Sequence, residues 1–304
     1  MEKLFGTDGI RGLAGKSPLT RAEVIRLGRA AGTVLHKKFP HEKIRLFAVR
    51  DTRASGGWLL DCLAAGLQQM GVDVYDGGVL NTPAVAHLVK AHRFHSGAVI
   101  SASHNPPAFN GIKFFNTYGQ KWPDPWEAEV EKLFKAPSFP KSVIGNLASL
   151  KTLDPRLRHS RMTTSKGRYS DAVGLRLNAE IFADDYKEFL MGTLPPKLDF
   201  SGLRIALDCS HGSNSRTAPE VFRLLKATVF VIGASPTGNN INVSCGSQNT
   251  KKLSELVRRK KCHAGIAFDG DGDRVIMVDE KGEVARADGC LPKNLAPAMP
   301  LRSQ

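Results

Sequence analysis

Gly265-Ile266-Ala267-Phe268-Asp269-Gly270-Asp271-Gly272-Asp273-Arg274-Val275-Ile276-Met277-Val278 sets two short apolar runs on either side of a charged, glycine-rich hexapeptide. Apolar runs of this length bounded by turn residues read as strands, so the acidic segment is a loop between two strands. Three carboxylates at i, i+2 and i+4 repel one another when they converge, unless a cation holds them. The intervening glycines free the backbone to bring them together. Hard oxygen ligands suit Mg²⁺ or Ca²⁺. A plain acidic turn is the alternative, but such a turn needs only one or two of these residues. With Asp269 as position 1 of an EF-hand loop, Glu280 falls at position 12, but Arg274 falls at position 6, where glycine is required. The flanks are also strands rather than helices. The segment therefore reads as a Mg²⁺ site open to a phosphate.

Strand and helix patterns alternate through most of the chain outside this loop. Strands are expected at Ile44–Val49, Val72–Tyr75, Gly97–Ser101 and Ile112–Phe115, and helices at Trp58–Met70, Pro83–His92 and Glu127–Phe134. The pattern lapses over Ala136–Lys166, which holds Pro137, Pro140 and Pro155. It resumes with helices at Asp184–Leu190, Ala218–Leu225 and Lys251–Lys261 and strands at Leu203–Leu207, Val229–Ile232, Gly265–Phe268 and Val275–Val278. Alternation of this kind implies two consecutive α/β domains with parallel or mixed sheets. The expected boundaries are 1–136, a basic loop-rich linker over 137–165, a second domain over 166–284, and an irregular tail over 285–304.

Composition narrows the class. The 304 residues are 41% hydrophobic and 24% charged, which excludes a wholly disordered chain. There is no apolar run near the roughly 20 residues of a membrane helix, and Met1–Gly12 lacks an apolar signal-peptide core. Cys62, Cys209, Cys245, Cys262 and Cys290 form no C-x-x-C pair, so reduced thiols and a cytoplasmic location are expected. The net charge of +14 is concentrated in Lys141–Arg176 and Lys251–Lys261. Neither run carries interleaved aromatic residues, so solvated faces are expected rather than nucleic-acid binding.

Three further segments carry chemistry. Ser103 and His104, in Ile100-Ser101-Ala102-Ser103-His104-Asn105-Pro106, follow an expected strand, at the end where open α/β sheets bind ligands. The pair offers a hydroxyl and a proton carrier. No G-x-S-x-G elbow surrounds either serine, which disfavours a serine hydrolase. Gly6-Thr7-Asp8-Gly9-Ile10-Arg11-Gly12 is a candidate phosphate cradle with Arg11 as its cation, although the P-loop ending is absent. Lys113, in Asn110-Gly111-Ile112-Lys113-Phe114-Phe115, is a cation in an apolar setting and a candidate base.

In this order the segments resemble the α-D-phosphohexomutase superfamily. The matching stretches are Phe5–Gly12, Asp51–Gly56, Ile100–Pro106, Asn110–Phe115, Gly238–Asn242, Cys245–Ser247 and Gly265–Val275, and together they span nearly all of residues 1–284. FGTDGIRG, ISASHNP and NGIKFF favour its glucosamine branch. The resemblance implies that Ser103 carries the transferable phosphate and that Asp269, Asp271 and Asp273 bind Mg²⁺ along with it. Arg274 would sit beside the phosphoserine. Arg11, His104 and Lys113 would surround the phosphoryl group, with Lys113 or Arg11 helping proton transfer. The implied reaction interconverts glucosamine 6-phosphate and glucosamine 1-phosphate through a hexosamine 1,6-bisphosphate, with a phosphorylated amino sugar as partner and no membrane or nucleic acid.

The departures from the family pattern are Phe109 in place of an Asp, Val243-Ser244 before Cys245, His211 with Ser213–Ser215, and a long basic Leu147–Ser165. After Glu283 the usual continuation is missing, so third and fourth domains are expected to be absent. Turnover is then expected to be impaired, with self-association through the face those domains would cover. The rivals are another hexose-phosphate mutase, such as a phosphoglucomutase or phosphomannomutase, and a non-catalytic remnant.

Overall fold

In the computed structural model, which describes residues 3–136 and 174–285, strands and helices alternate in two units. The first unit lies within Met1–Ala102 and Ala108–Tyr186, and the second within Ser103–Pro107 and Lys187–Gln304.

The first unit runs β1 (Ile10–Leu13), α1 (Arg21–Lys38), β2 (Arg45–Arg50), α2 (Gly56–Gln69), β3 (Asp73–Val79), α3 (Thr82–Ala91), β4 (Ser96–Ile100), β5 (Phe109–Phe115), α4 (Asp124–Lys135) and β6 (Arg176–Asn178), then enters α5 (Phe182–Gly192). Its sheet has the order β1-β5-β4-β2-β3-β6. The β2, β3, β4 and β6 pairings are parallel, whereas β5 runs antiparallel to both β1 and β4. All five residues of β4 are buried, as expected of a central strand covered on both faces. Leu46, Ala48, Ala98, Ile100 and Ile112 share one core with Leu27, Ala31, Leu60 and Leu67 of α1 and α2.

The second unit runs β7 (Arg204–Asp208), α6 (Asn214–Leu224), β8 (Thr228–Ile232), α7 (Lys251–Lys260), β9 (Ala264–Phe268) and β10 (Val275–Val278). Its sheet order is β10-β9-β7-β8, with only the β9–β10 hairpin antiparallel. Because β9 runs parallel to β7, the segments after Asp208 and after Phe268 emerge at the same edge of the sheet. That edge is where open α/β sheets place their ligands. None of the described helices is long and apolar enough to cross a membrane.

Three elements depart from the sequence reading. Within glycine-rich Gly6–Gly12 a strand was not expected, but Ile10–Leu13 pairs with β5, and Gly9 sits at φ +82 where a Cβ would strike the Ile112 carbonyl. Helix α1 was not expected. It starts at a capping box in which Thr20 and Glu23 satisfy each other's backbone N–H groups. The third is β6, which pairs with β3, so this sheet extends well beyond the expected boundary at 166 and the second unit resumes only at Lys187. The linker expected over 137–165 lies outside the described residues, as does the tail beyond Ala285.

Helices α1 and α2 approach through glycine. A Cβ on Gly66 would lie 2.9 Å from Gly28 Cα and far inside contact with the Ile25 carbonyl. Replacing a helical glycine by alanine ordinarily gains about 1 kcal/mol of helix propensity. Here the obstacle is backbone on both sides, and overpacking costs about 1–3 kcal/mol or more. Gly66→Ala is therefore expected to destabilise the protein in urea denaturation followed by tryptophan fluorescence. Trp58, Trp122 and Trp126 all lie in the first unit and report on it.

Candidate active site

The hairpin between β9 and β10 brings the three carboxylates together. One oxygen from each of Asp269, Asp271 and Asp273 lies within 4.8 Å of the others, with Asp269 and Asp271 fully buried. Gly272 supplies the turn at φ +70, and its N–H donates to the Asp269 carbonyl at 3.2 Å. Burial, and next the charge of Asp271, push the Asp269 carboxyl up to about 7, outweighing the opposing hydrogen bond from Ser103. Crowded like charges withdrawn from water are what a divalent cation neutralises, and three hard oxygen donors fit such an ion.

Ser103 stands against this loop. It belongs by its contacts to the second unit, three residues beyond the end of β4, and is buried. Its backbone has φ +53, a left-handed conformation that costs a non-glycine residue about 1–2 kcal/mol. Its hydroxyl donates to Asp269 Oδ2 at 2.6 Å and accepts from Arg274 Nη2 at 2.8 Å. The same Arg274 nitrogen lies 2.7 Å from His104 Nδ1. A guanidinium only donates, so Nδ1 accepts and the imidazole proton resides on Nε2. The Ser103 hydroxyl is thus aimed at the carboxylate, with His104 Nδ1 farther off at 3.4 Å.

Arg11 and Lys113 lie together in the first unit. Lys113 is buried on β5 and its Nζ sits 2.8 Å from Asp8 Oδ2, which also accepts from Arg11 Nη2 at 2.7 Å. Burial raises the Asp8 pKa, but Lys113 and Arg11 together hold it below the ordinary carboxylate range. In the sequence, Asp8 is marked as a site residue only by its i, i+3 spacing to Arg11. A second buried group holds the strand end that leads to the serine. Asp51 and Arg53, both fully buried, pair at 2.9 Å; Ser101 Oγ donates to Asp51 Oδ2 at 2.7 Å, and Arg53 donates to the Phe109 carbonyl at 3.0 Å. In the second unit, Asp208 at the end of β7 accepts from the Ser210 and Gly246 amides at 2.9 and 2.8 Å.

Residues 2–141 match the phosphoglucomutase/phosphomannomutase alpha/beta/alpha domain I, and residues 184–282 match domain II of the same family. The chain belongs to the phosphohexomutase family. It is 42% identical over 288 residues to a phosphoglucosamine mutase of Caldicellulosiruptor bescii, covering 95% of this chain and 58% of that one. It is 41% identical over 291 residues to a phosphoglucosamine mutase of Serratia proteamaculans, with the same coverage. The chain thus spans about 58% of the length of these curated relatives. Its fold is shared with a phosphoglucomutase/phosphomannomutase family protein of Burkholderia thailandensis, at TM-score 0.71 and 23% identity over 93% of this chain and 56% of that one. A structure described as a phosphomannomutase of Thermus thermophilus gives TM-score 0.71 and 23% identity over 92% and 57%.

Of the residues expected at a phosphohexomutase site, Ser103, His104, Asp269, Asp271, Asp273 and Arg274 stand together in the second unit. Arg11 and Lys113 share Asp8 in the first. The buried Asp51–Arg53 pair gives a direct test of what holds the end of β4 in the first unit. Asp51→Asn removes the charge opposite Arg53, and breaking a fully buried pair costs about 3–5 kcal/mol. A loss of about 3 kcal/mol or more is expected in the tryptophan-monitored urea transition of the first unit.

Proposed function

We propose that this chain carries the phosphoserine and Mg²⁺-binding part of a phosphoglucosamine mutase, an isomerase that moves a phosphoryl group between O6 and O1 of glucosamine. The observation that carries this reading is the Ser103 hydroxyl, held between the Asp269 carboxylate and the Arg274 guanidinium at the rim of the carboxylate trio. The names of the relatives support glucosamine as the sugar.

In this reading a phosphoryl group on Ser103 Oγ passes to the free O1 or O6 hydroxyl of the bound sugar phosphate. The P–O bond to serine breaks as the bond to the sugar oxygen forms, and the proton of the sugar hydroxyl ends on Ser103 Oγ, which departs as the free serine hydroxyl. The product is hexosamine 1,6-bisphosphate. Return of its other phosphate to Ser103 completes the exchange of glucosamine 6-phosphate and glucosamine 1-phosphate. Asp269, Asp271 and Asp273 would hold Mg²⁺ together with an oxygen on Ser103, and the bound ion neutralises charge on the phosphoryl oxygens. Arg274 directs a fixed positive charge at the serine oxygen, where the transferring group departs and arrives. His104, with Nδ1 accepting from Arg274, presents its Nε2 proton as a donor. Arg11 and Lys113 share the Asp8 carboxylate, and the family resemblance assigns them as cations for a phosphoryl group.

The test is intact-mass analysis after incubation with glucosamine 1,6-bisphosphate and Mg²⁺. The wild type is expected to gain one phosphoryl group and Ser103→Ala none. Asp271→Asn, which removes one charge of the trio at constant size, should slow the gain at least about 100-fold. A wild type that stays unphosphorylated, or a Ser103→Ala variant that is phosphorylated equally, would sink the assignment.

A further inference from the structure

Asn242 closes the matching stretch Gly238–Asn242 and has no role in the chemistry above. Its side-chain Nδ2 donates to the Ser103 carbonyl at 2.9 Å and to the Asn105 carbonyl at 3.1 Å. One amide thus ties the two carbonyls that flank His104. The wall behind them is Gly270, where a Cβ would fall 2.5 Å from the Ser103 carbonyl oxygen and 3.0 Å from Asn242 Nδ2.

Asn242 is itself anchored. Its N–H donates to the Ser210 carbonyl at 2.9 Å, and the Ser210 amide is held by buried Asp208 at 2.9 Å. Its φ of +61 lies in the left-handed region that asparagine tolerates better than most residues. A strained backbone persists only where its surroundings over-determine it. Ser103 at φ +53 has such surroundings in the Asn242 amide on its carbonyl and the Gly270 backbone behind it.

We infer that Asn242 is a positioning residue for phosphoryl transfer: by clamping the Ser103 and Asn105 carbonyls it fixes the direction of the Ser103 side chain. This rests on the phosphoserine reading above. The clamp grips main-chain oxygens and leaves the hydroxyl alone. It therefore holds whether or not Ser103 carries a phosphate, which a mutase needs because the serine both gives and receives the group. The Ser103–Asp269 hydrogen bond lacks this property, because its proton is lost on phosphorylation.

Asn242→Gly tests the clamp cleanly, since glycine keeps the left-handed backbone and deletes only the amide. Asn242→Asp keeps the size and replaces the donor by a carboxylate oxygen facing two carbonyls. Both are compared with wild type for the rate of Ser103 phosphorylation across a glucosamine 1,6-bisphosphate series with Mg²⁺, alongside thermal melting. The expected result is a saturating rate at least about tenfold lower in both variants, with the half-saturating concentration and melting temperature near those of wild type. Wild-type rates in both variants would overturn the inference while leaving the phosphoserine reading intact. Loss of the folded state in both would make Asn242 a purely structural residue and overturn it equally. A wild type that gains no phosphate removes the reading itself, and the inference with it.

Discussion

Three carboxylates within 4.8 Å of one another, two of them buried, oppose folding unless something positive joins them. Every other feature of the second unit's site is arranged around that constraint. The β9–β10 hairpin is short enough to force the three together. Arg274 closes the loop and places its guanidinium Nε 3.5 Å from both Asp269 and Asp273. The serine hydroxyl offers Asp269 a single proton. One guanidinium and one hydroxyl offset only part of three charges, and Asp269 keeps a strongly raised proton affinity. Like charges held in place by backbone geometry are what a divalent cation would neutralise.

In each unit the scaffold presents its buried carboxylates at strand ends. In the second unit the parallel β7–β9 pair delivers Asp208 and the acidic loop to one edge. In the first, parallel β2 and β4 deliver Asp51 and Ser101 to one edge, where they hydrogen-bond. Buried polar groups at both edges hold loop backbone in place. Asp208 spends its two oxygens on amides, and Asp51 spends its own on Arg53 and Ser101. A carboxylate buried away from water retains its charge only with such partners. The same partners limit how far each loop can move.

Much of this was legible in the residues. Strand β10 falls at Val275–Val278 as expected, β9 starts one residue earlier than expected and β4 is shifted by one residue at both ends, because continuous apolar runs bounded by glycine or charge mark buried strands clearly. The acidic trio was legible because its members share one loop. Helix α1 escaped because much of its buried face is small: Gly28, Ala30, Ala31, Gly32 and Thr33 carry little hydrophobic signal, and its start is marked only by the Thr20–Glu23 box. Strand β6 escaped because three residues are held by a distant strand and by Arg176 pairing with Asp61 and Asp76. Long-range partners leave no local pattern. Ser103 meets Asp269 across 166 positions and Asn242 across 139. Family resemblance could name such residues, but only the fold pairs them.

The most direct measurement is calorimetric melting of the full chain against Mg²⁺ at constant ionic strength. A ligand that binds only the folded state stabilises it by RT ln(1 + [L]/Kd), about 2.7 kcal/mol at 100 times Kd. If cation binding relieves the carboxylate trio, the transition of the second unit should rise steadily with Mg²⁺ concentration, and Asp271→Asn should flatten that rise. A wild-type transition that Mg²⁺ moves no further than an equal ionic strength of NaCl would contradict the assignment of the trio as a cation site.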